Sequence, residues 1–184
     1  MKKIFLLIPL FLLLLHSCEK DDICDSGAAT TARLIIQFYD INNRSVVKNV
    51  TDLKVQGEGA DNPVVFNLSG VDDEKYITND TIIALPLRVA SLQTKYTFTL
   101  NADAPINQQF SDIIVFNYGT DDVYVSRACG FKTVFDFLNR PVGTNAFTLN
   151  GGSVAPFTSA WIRDMEIVQT NINNEKETHV KIYF

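Results

Sequence analysis

The chain of 184 residues holds only two His, three Cys and one Trp. So few His and Cys argue against a structural zinc site, which needs four ligands held together, the more so because His179 is the only His left once the N-terminal segment is removed. Once an N-terminal segment carrying His16 is removed, a Ser-His-Asp or Cys-His nucleophile would have to use His179. No G-x-S-x-G turn is present to raise a Ser toward it. Glycine-rich phosphate loops are also missing: neither G-x-G-x-x-G nor a P-loop occurs, so nucleotide chemistry has no support and no cofactor is expected. Basic residues are the minority, 16 against 21 acidic, for a formal net charge of −5. That balance excludes nucleic acid as a partner and an electrostatic grip on anionic lipid. The longest apolar run, residues 4–15, falls short of the about 20 residues that a membrane-spanning helix needs.

That run is nevertheless informative. Lys2 and Lys3 precede it and Leu15, His16, Ser17 and Cys18 follow, which is the layout of a secretory signal peptide. Leu15, Ser17 and Cys18 resemble the bacterial lipobox, with His16 standing where a small residue is usual. The resemblance implies cleavage after residue 17 and acylation (palmitate) of Cys18. Cleavage removes two basic residues and no acid, moving the net charge from −5 to −7. Membrane attachment then rests on acyl chains, each buried CH₂ contributing about 0.8 kcal/mol, with two or more chains needed for a stable anchor. Export also places the two remaining cysteines, Cys24 and Cys129, where disulfides form, so a bridge between them is predicted, with two free buried thiols as the alternative.

Residues 19–32 are polar and small, with no apolar period, and read as a flexible tether. The pattern then changes. Leu34, Ile36 and Phe38 alternate with Ile35, Gln37 and Tyr39, the period-2 signature of a strand. Further β-type runs are read at 53–56, 63–67, 81–87, 95–100, 111–118, 123–126, 131–137, 162–172 and 177–184, with turn-rich stretches between them. Residues 111–118 are nearly continuous in apolar character and read as a central strand covered on both faces. Residues 118–123 read as a hairpin connection, and 171–175 as a second one, pairing the Trp161 strand with the C-terminal strand. In that last strand Val180, Ile182 and Phe184 face one way and His179, Lys181 and Tyr183 the other, which makes His179 a solvated strand residue. Residues 139–160, with Gly151 and Gly152, are the longest weakly patterned stretch and the expected mobile loop. No helical period is sustained. The organisation read is a signal peptide over 1–17, an acylated tether over 18–32 and one domain over 33–184. The fold class is an antiparallel β-sandwich, immunoglobulin-like or related, with a closed or partly open barrel as the alternative.

Four segments carry a resemblance: 18–25, 33–40, Val125-Ser126-Arg127-Ala128-Cys129-Gly130 and 175–184. Together they look like a Bacteroidota family of small envelope lipoproteins built from one domain of unknown function. The resemblance implies an outer-membrane lipoprotein and brings no catalytic residues. Lys20-Asp21-Asp22 is also similar to the charged signal that sends lipoproteins of that phylum to the cell surface, although an acidic solvated tether has the same composition.

Candidate chemistry is thin. Paired carboxylates at Asp72-Asp73 and Asp121-Asp122 are read as turns and lack the ligand spacing of a calcium loop. Trp161, Tyr183, Gly151 and Gly152 are the candidate ligand patch, and Asp80-Thr81-Ile82 resembles an O-glycosylation acceptor with Thr81 as its hydroxyl. The function expected is a lipid-anchored, non-enzymatic binding or structural module whose partner is an envelope protein or glycan. An envelope glycan hydrolase or accessory subunit using the turn carboxylates is the alternative.

Overall fold

The computed structural model describes residues 24, 30–152 and 160–184. The expectations for residues 1–17, for acylation at Cys18 and for most of the 18–32 tether lie outside these residues. Twelve strands in three sheets are found among the described residues, with no α-helix and no closed barrel.

The fold begins with β1 (Leu34–Tyr39), where the alternation read from the sequence puts Leu34, Ile36 and Phe38 at 0 % exposure. Each such side chain contributes about 1.5–3 kcal/mol on burial. β1 pairs antiparallel with β4 (Ile82–Leu85) and parallel with β12 (Val180–Tyr183), which in turn pairs antiparallel with β10 (Asp164–Ile167). The four-stranded sheet thus runs β10-β12-β1-β4, with the C-terminal strand at its interior. The parallel pair ties the two ends of the domain together, since Ile36 lies beside Val180 and Tyr39 beside Tyr183.

A five-stranded sheet is ordered β3-β2-β5-β6-β9 and comprises β2 (Leu53–Gly57), β3 (Ile77–Thr78), β5 (Gln93–Leu100), β6 (Phe110–Asn117) and β9 (Phe147–Leu149). Its inner face supplies Leu53, Val55, Phe98, Ile114 and Phe116 to one core shared with Leu34, Ile36, Phe38, Leu85, Val180 and Ile182. Two sheets burying their apolar faces in one cluster make a β-sandwich. The smaller third sheet, β11-β8-β7, holds β7 (Gly119–Ser126), β8 (Gly130–Asp136) and β11 (Asn171–Ile172), and adds Phe135 and Ile172 to the same core.

Several local expectations are corrected. Residues 118–123 are not a hairpin connection: β6 ends at Asn117, the buried Tyr118 forms a corner, and β7 enters a different sheet to pair with β8. Gly119 marks that corner, because a Cβ there would lie 2.5 Å from the Asn139 carbonyl oxygen. The polar run Thr120-Asp121-Asp122 resembles a turn in composition, but it is the solvent-exposed part of a ribbon. β6 itself is covered mainly on one face, with Asp112 at 1 % exposure and Ile113 at 37 %. The Asp112 carboxylate accepts from Asn150 Nδ2 and from the Ile162 backbone N–H, each at 2.8 Å. This pairing lets an acid occupy a core position.

The run read as one strand over 162–172 is split between β10 and β11, which belong to different sheets, although the pairing of the Trp161 segment with the C-terminal strand is present as β10–β12. Residues 63–67 form no strand: Pro63 lacks a donor and Val64 makes a single bond to the Val55 carbonyl. The stretch 139–160 contains β9 paired with β6, and residues 153–159 of it lie outside the described residues. His179 is not solvated. It is fully buried, its backbone N–H donates to the Ile35 carbonyl at 3.0 Å, and its Nδ1 accepts from the Ile35 N–H at 2.9 Å.

Candidate functional site

A groove of about 450 Å³ opens where the loop after β2 faces the segment after β4, with Arg33, Glu58, Val64, Pro86, Arg88 and Tyr96 on its walls. One wall is fixed by hydrogen bonds that the sequence pattern does not reveal. Tyr96 donates its hydroxyl to the Pro86 carbonyl, and Tyr118 donates to the Arg88 carbonyl at 3.0 Å. Thr94 Oγ1 accepts from the Arg88 backbone N–H at 3.0 Å and is itself bonded to the Tyr118 hydroxyl. Burial pushes both tyrosine hydroxyls above their ordinary range, more than the nearby Arg88 charge lowers them, so they remain protonated donors. The segment 86–88 is therefore held in a set position before any ligand arrives.

Charge at the mouth is mixed. Arg88 Nη2 donates to the Glu58 carbonyl, and the Glu58 carboxylate takes Lys95 Nζ at 2.7 Å. Arg33 makes a two-pronged pair with Glu175, Nε to Oε1 at 2.9 Å and Nη2 to Oε2 at 2.6 Å. That hydrogen bond, outweighing desolvation, holds the Glu175 carboxyl below the usual carboxylate range. Two guanidinium groups beside Pro63, Val64 and Leu87 suit a ligand that carries acceptors along an apolar body.

The predicted bridge is present: Cys24 and Cys129 are joined, with a sequence separation of 105. Cys129 lies in the turn between β7 and β8, where its backbone N–H also donates to Ser126 Oγ at 3.0 Å. One step further into the ribbon the Thr133 N–H donates to Thr31 Oγ1 at 3.1 Å. Thr31 and Cys24 are thus held at β8 and at the turn that precedes it.

The expected ligand patch is not assembled at the surface. Trp161 is buried, packs on Phe38 and Phe184, and donates its Nε1 to the Phe98 carbonyl at 3.2 Å. Tyr183 is buried between Arg44, 4.4 Å from its ring centroid, and Tyr39, and donates to Glu166 at 2.9 Å. Only Gly151 and Gly152 are exposed, both at positive φ. Thr81 is half-buried ahead of β4, with its carbonyl accepting from the Phe38 N–H at 2.8 Å.

Asp72 and Asp73 lie in an exposed 3₁₀ turn (Asp72–Tyr76), as read. Asp121 and Asp122 are instead successive residues of β7, and both line an open cavity of about 430 Å³ with Val89, Thr120 and Thr133. Asp122 accepts from Thr133 Oγ1 at 2.8 Å. Asp121 shares a small cavity of about 110 Å³ with Asp136, whose carboxylate accepts from the Leu138 N–H at 2.8 Å.

Residues 52–184 match the family described as a family of unknown function (DUF6452). The chain matches no curated protein and no solved structure.

Proposed function

Taking as premise that the chain belongs to this family of unknown function, we propose that it is a lipid-anchored envelope module that binds a partner without catalysing a reaction. It is held at the outer membrane by an acylated Cys18 and faces the cell surface. The observation that carries this reading is the Cys24–Cys129 bridge. A stable disulfide belongs to an oxidising compartment, and this one sits six residues after the lipobox cysteine, where it clamps the domain close to its anchor.

The binding site of this reading is the Arg33–Arg88–Tyr96 groove. Its ligand is an envelope protein segment or a glycan, both of which present carbonyl, carboxylate or hydroxyl acceptors to the N–H groups that Arg33 and Arg88 keep beyond their bonds to Glu175 and Glu58. Anchoring at a membrane raises the effective concentration of such a partner, so modest intrinsic affinity suffices. The test is in-cell crosslinking followed by mass spectrometry on the native chain and on Arg88→Glu. The reading requires a recurrent partner that is lost or strongly reduced with Arg88→Glu while the variant stays folded. Turnover of an envelope glycan by the purified chain, abolished by Asp121→Asn, would replace it with the hydrolase reading.

A further inference from the structure

The β7–β8 hairpin ends in an aromatic pair that the core does not use. Tyr124 and Phe131 are cross-strand partners with ring centroids 5.5 Å apart in an edge-to-face arrangement. They are 58 % and 67 % exposed, and Val123, on the other face of the ribbon, is 41 % exposed. Four residues behind Phe131 on the same face, Phe135 is fully buried, so the ribbon is rooted in the core and carries its outer rings into solvent. Single exposed apolar residues are ordinary, but a contiguous aromatic tip marks a contact surface. Residues 123–132 also contain Arg127 and Lys132 and no acid, against a chain that is acidic as a whole.

The path of the chain says what lies opposite this tip. Going toward the N-terminus, Thr31 is bonded to Thr133 and Cys24, the first described residue, is held at the hairpin turn by its bond to Cys129. Cys18 is six residues beyond Cys24. Six residues extend at most about 20 Å, less than half the thickness of a bilayer with its headgroups, about 40–45 Å. If Cys18 is acylated, the turn has no conformation in which it is far from the lipid surface.

We propose that the β7–β8 hairpin tip is a membrane-contact surface in which the Tyr124 and Phe131 rings sit among the lipid headgroups, with Arg127 in the connecting turn beside their phosphates. This rests on the acylation reading above. Aromatic rings favour the interfacial zone because they combine an apolar body with a polarisable edge, and Tyr adds a hydroxyl that stays wet. An arginine near the surface adds attraction to anionic lipid, while Glu19, Asp21 and Asp22 in the tether oppose it, which leaves the rings as the main contact; Lys132 is bonded to the Asn173 carbonyl instead. The disulfide limits the distance between this turn and the anchor, and the rings supply the contact that would orient the domain.

The test separates this contact from the acylation itself. The mature chain, with Cys24–Cys129 bridged and Cys18 unmodified, is coupled through the Cys18 thiol to a maleimide-bearing lipid in phosphatidylethanolamine/phosphatidylglycerol vesicles. Phe131→Trp reports the tip, with the buried Trp161 of the unsubstituted chain as baseline. The expected result is a blue-shifted added emission, quenched by lipids brominated near the headgroup and shielded from aqueous acrylamide. Reducing the Cys24–Cys129 bond, which leaves the thioether intact, should remove most of that quenching. Tyr124→Ser with Phe131→Ser should weaken vesicle partitioning of a singly acylated chain by roughly tenfold or more, with the melting temperature as the control for folding. Added emission that stays water-like and acrylamide-accessible on vesicles would overturn the proposal. So would protection that appears only when envelope protein is added, which would make the tip a protein-docking surface. Flotation of the native chain with envelope membranes, compared with Cys18→Ala, decides the acylation reading independently.

Discussion

Replacement of His179 is the sharpest test of how the two ends of the domain are joined. Its ring is fully buried between β1 and the C-terminal strand, and Nδ1 accepts the Ile35 N–H at 2.9 Å. That bond requires a neutral ring protonated at Nε2, which has no hydrogen-bond partner among the described residues. Burial lowers the His179 pKa from its ordinary 6.5, and the nearby Glu177 and Glu175 only partly oppose it. His179→Leu keeps most of the volume but strands the Ile35 donor, a cost of about 1–3 kcal/mol. His179→Ala adds the loss of a buried ring, bringing the total to roughly 3–5 kcal/mol, a large part of a typical 5–15 kcal/mol stability. The assay is urea unfolding at fixed protein concentration, read as a shift in midpoint at unchanged slope.

The pH dependence gives a second signature with a definite sign. A base whose folded pKa is depressed contributes its full stability above the unfolded value of about 6.5 and loses it as pH falls through the lower folded value. The gap between the parent and His179→Leu should therefore be widest above pH 6.5 and narrow on acidification. A Leu variant as stable as the parent at neutral pH, or a gap that widens in acid, would refute the reasoning.

Breaking the Cys24–Cys129 bridge by paired substitution to Ala should lower stability by up to about 4.7 kcal/mol, the chain-entropy value for a separation of 105; thermal unfolding with and without reductant measures it, and reductant should have no effect on the variant. Asp112→Ala frees both Asn150 Nδ2 and the buried Ile162 N–H, so a loss of about 3 kcal/mol or more is expected by the same unfolding assay. Removing residues 181–184 takes most of the strand between β10 and β1 and should leave no cooperative unfolding transition by circular dichroism. Glu175→Ala breaks an exposed pair with Arg33 and the bond from the exposed Arg33 backbone N–H and should cost about 1 kcal/mol, with the ion-pair part shrinking in salt.

Much of the sandwich is legible in the chain because period-2 alternation and burial are the same signal: Leu34, Ile36 and Phe38 read as inward and are inward. The disulfide is legible from export and an even cysteine count. What pattern reading misses is long-range. The corner at Tyr118 has the composition of a turn, and the close approach of Asn139, which leaves no room for a side chain at Gly119, is invisible in the sequence. His179 and Asp112 are polar residues at inward positions. Each is made tolerable by partners distant in sequence, Ile35 for one and Asn150 and Ile162 for the other. Trp161 and Tyr183 were attractive as ligand-stacking rings because aromatics suit both roles, and here packing claims them. The groove carries no motif at all: Arg33, Arg88 and Tyr96 come from separate segments that meet only once the sheets are stacked. Tyr124 and Phe131 lie on runs with strand character that flank the Cys129 turn, but their pairing depends on the register of β7 and β8, which composition does not give.

The central claim is that one chain end carries both the lipid and the clamp. Non-reducing proteolysis and mass spectrometry of protein extracted from envelope membranes measures it directly. The account predicts a single cross-linked species in which a peptide beginning at acylated Cys18 is joined through Cys24 to the peptide containing Cys129. A peptide that begins elsewhere without acyl mass, or a Cys24 thiol open to alkylation in the native protein, would contradict it.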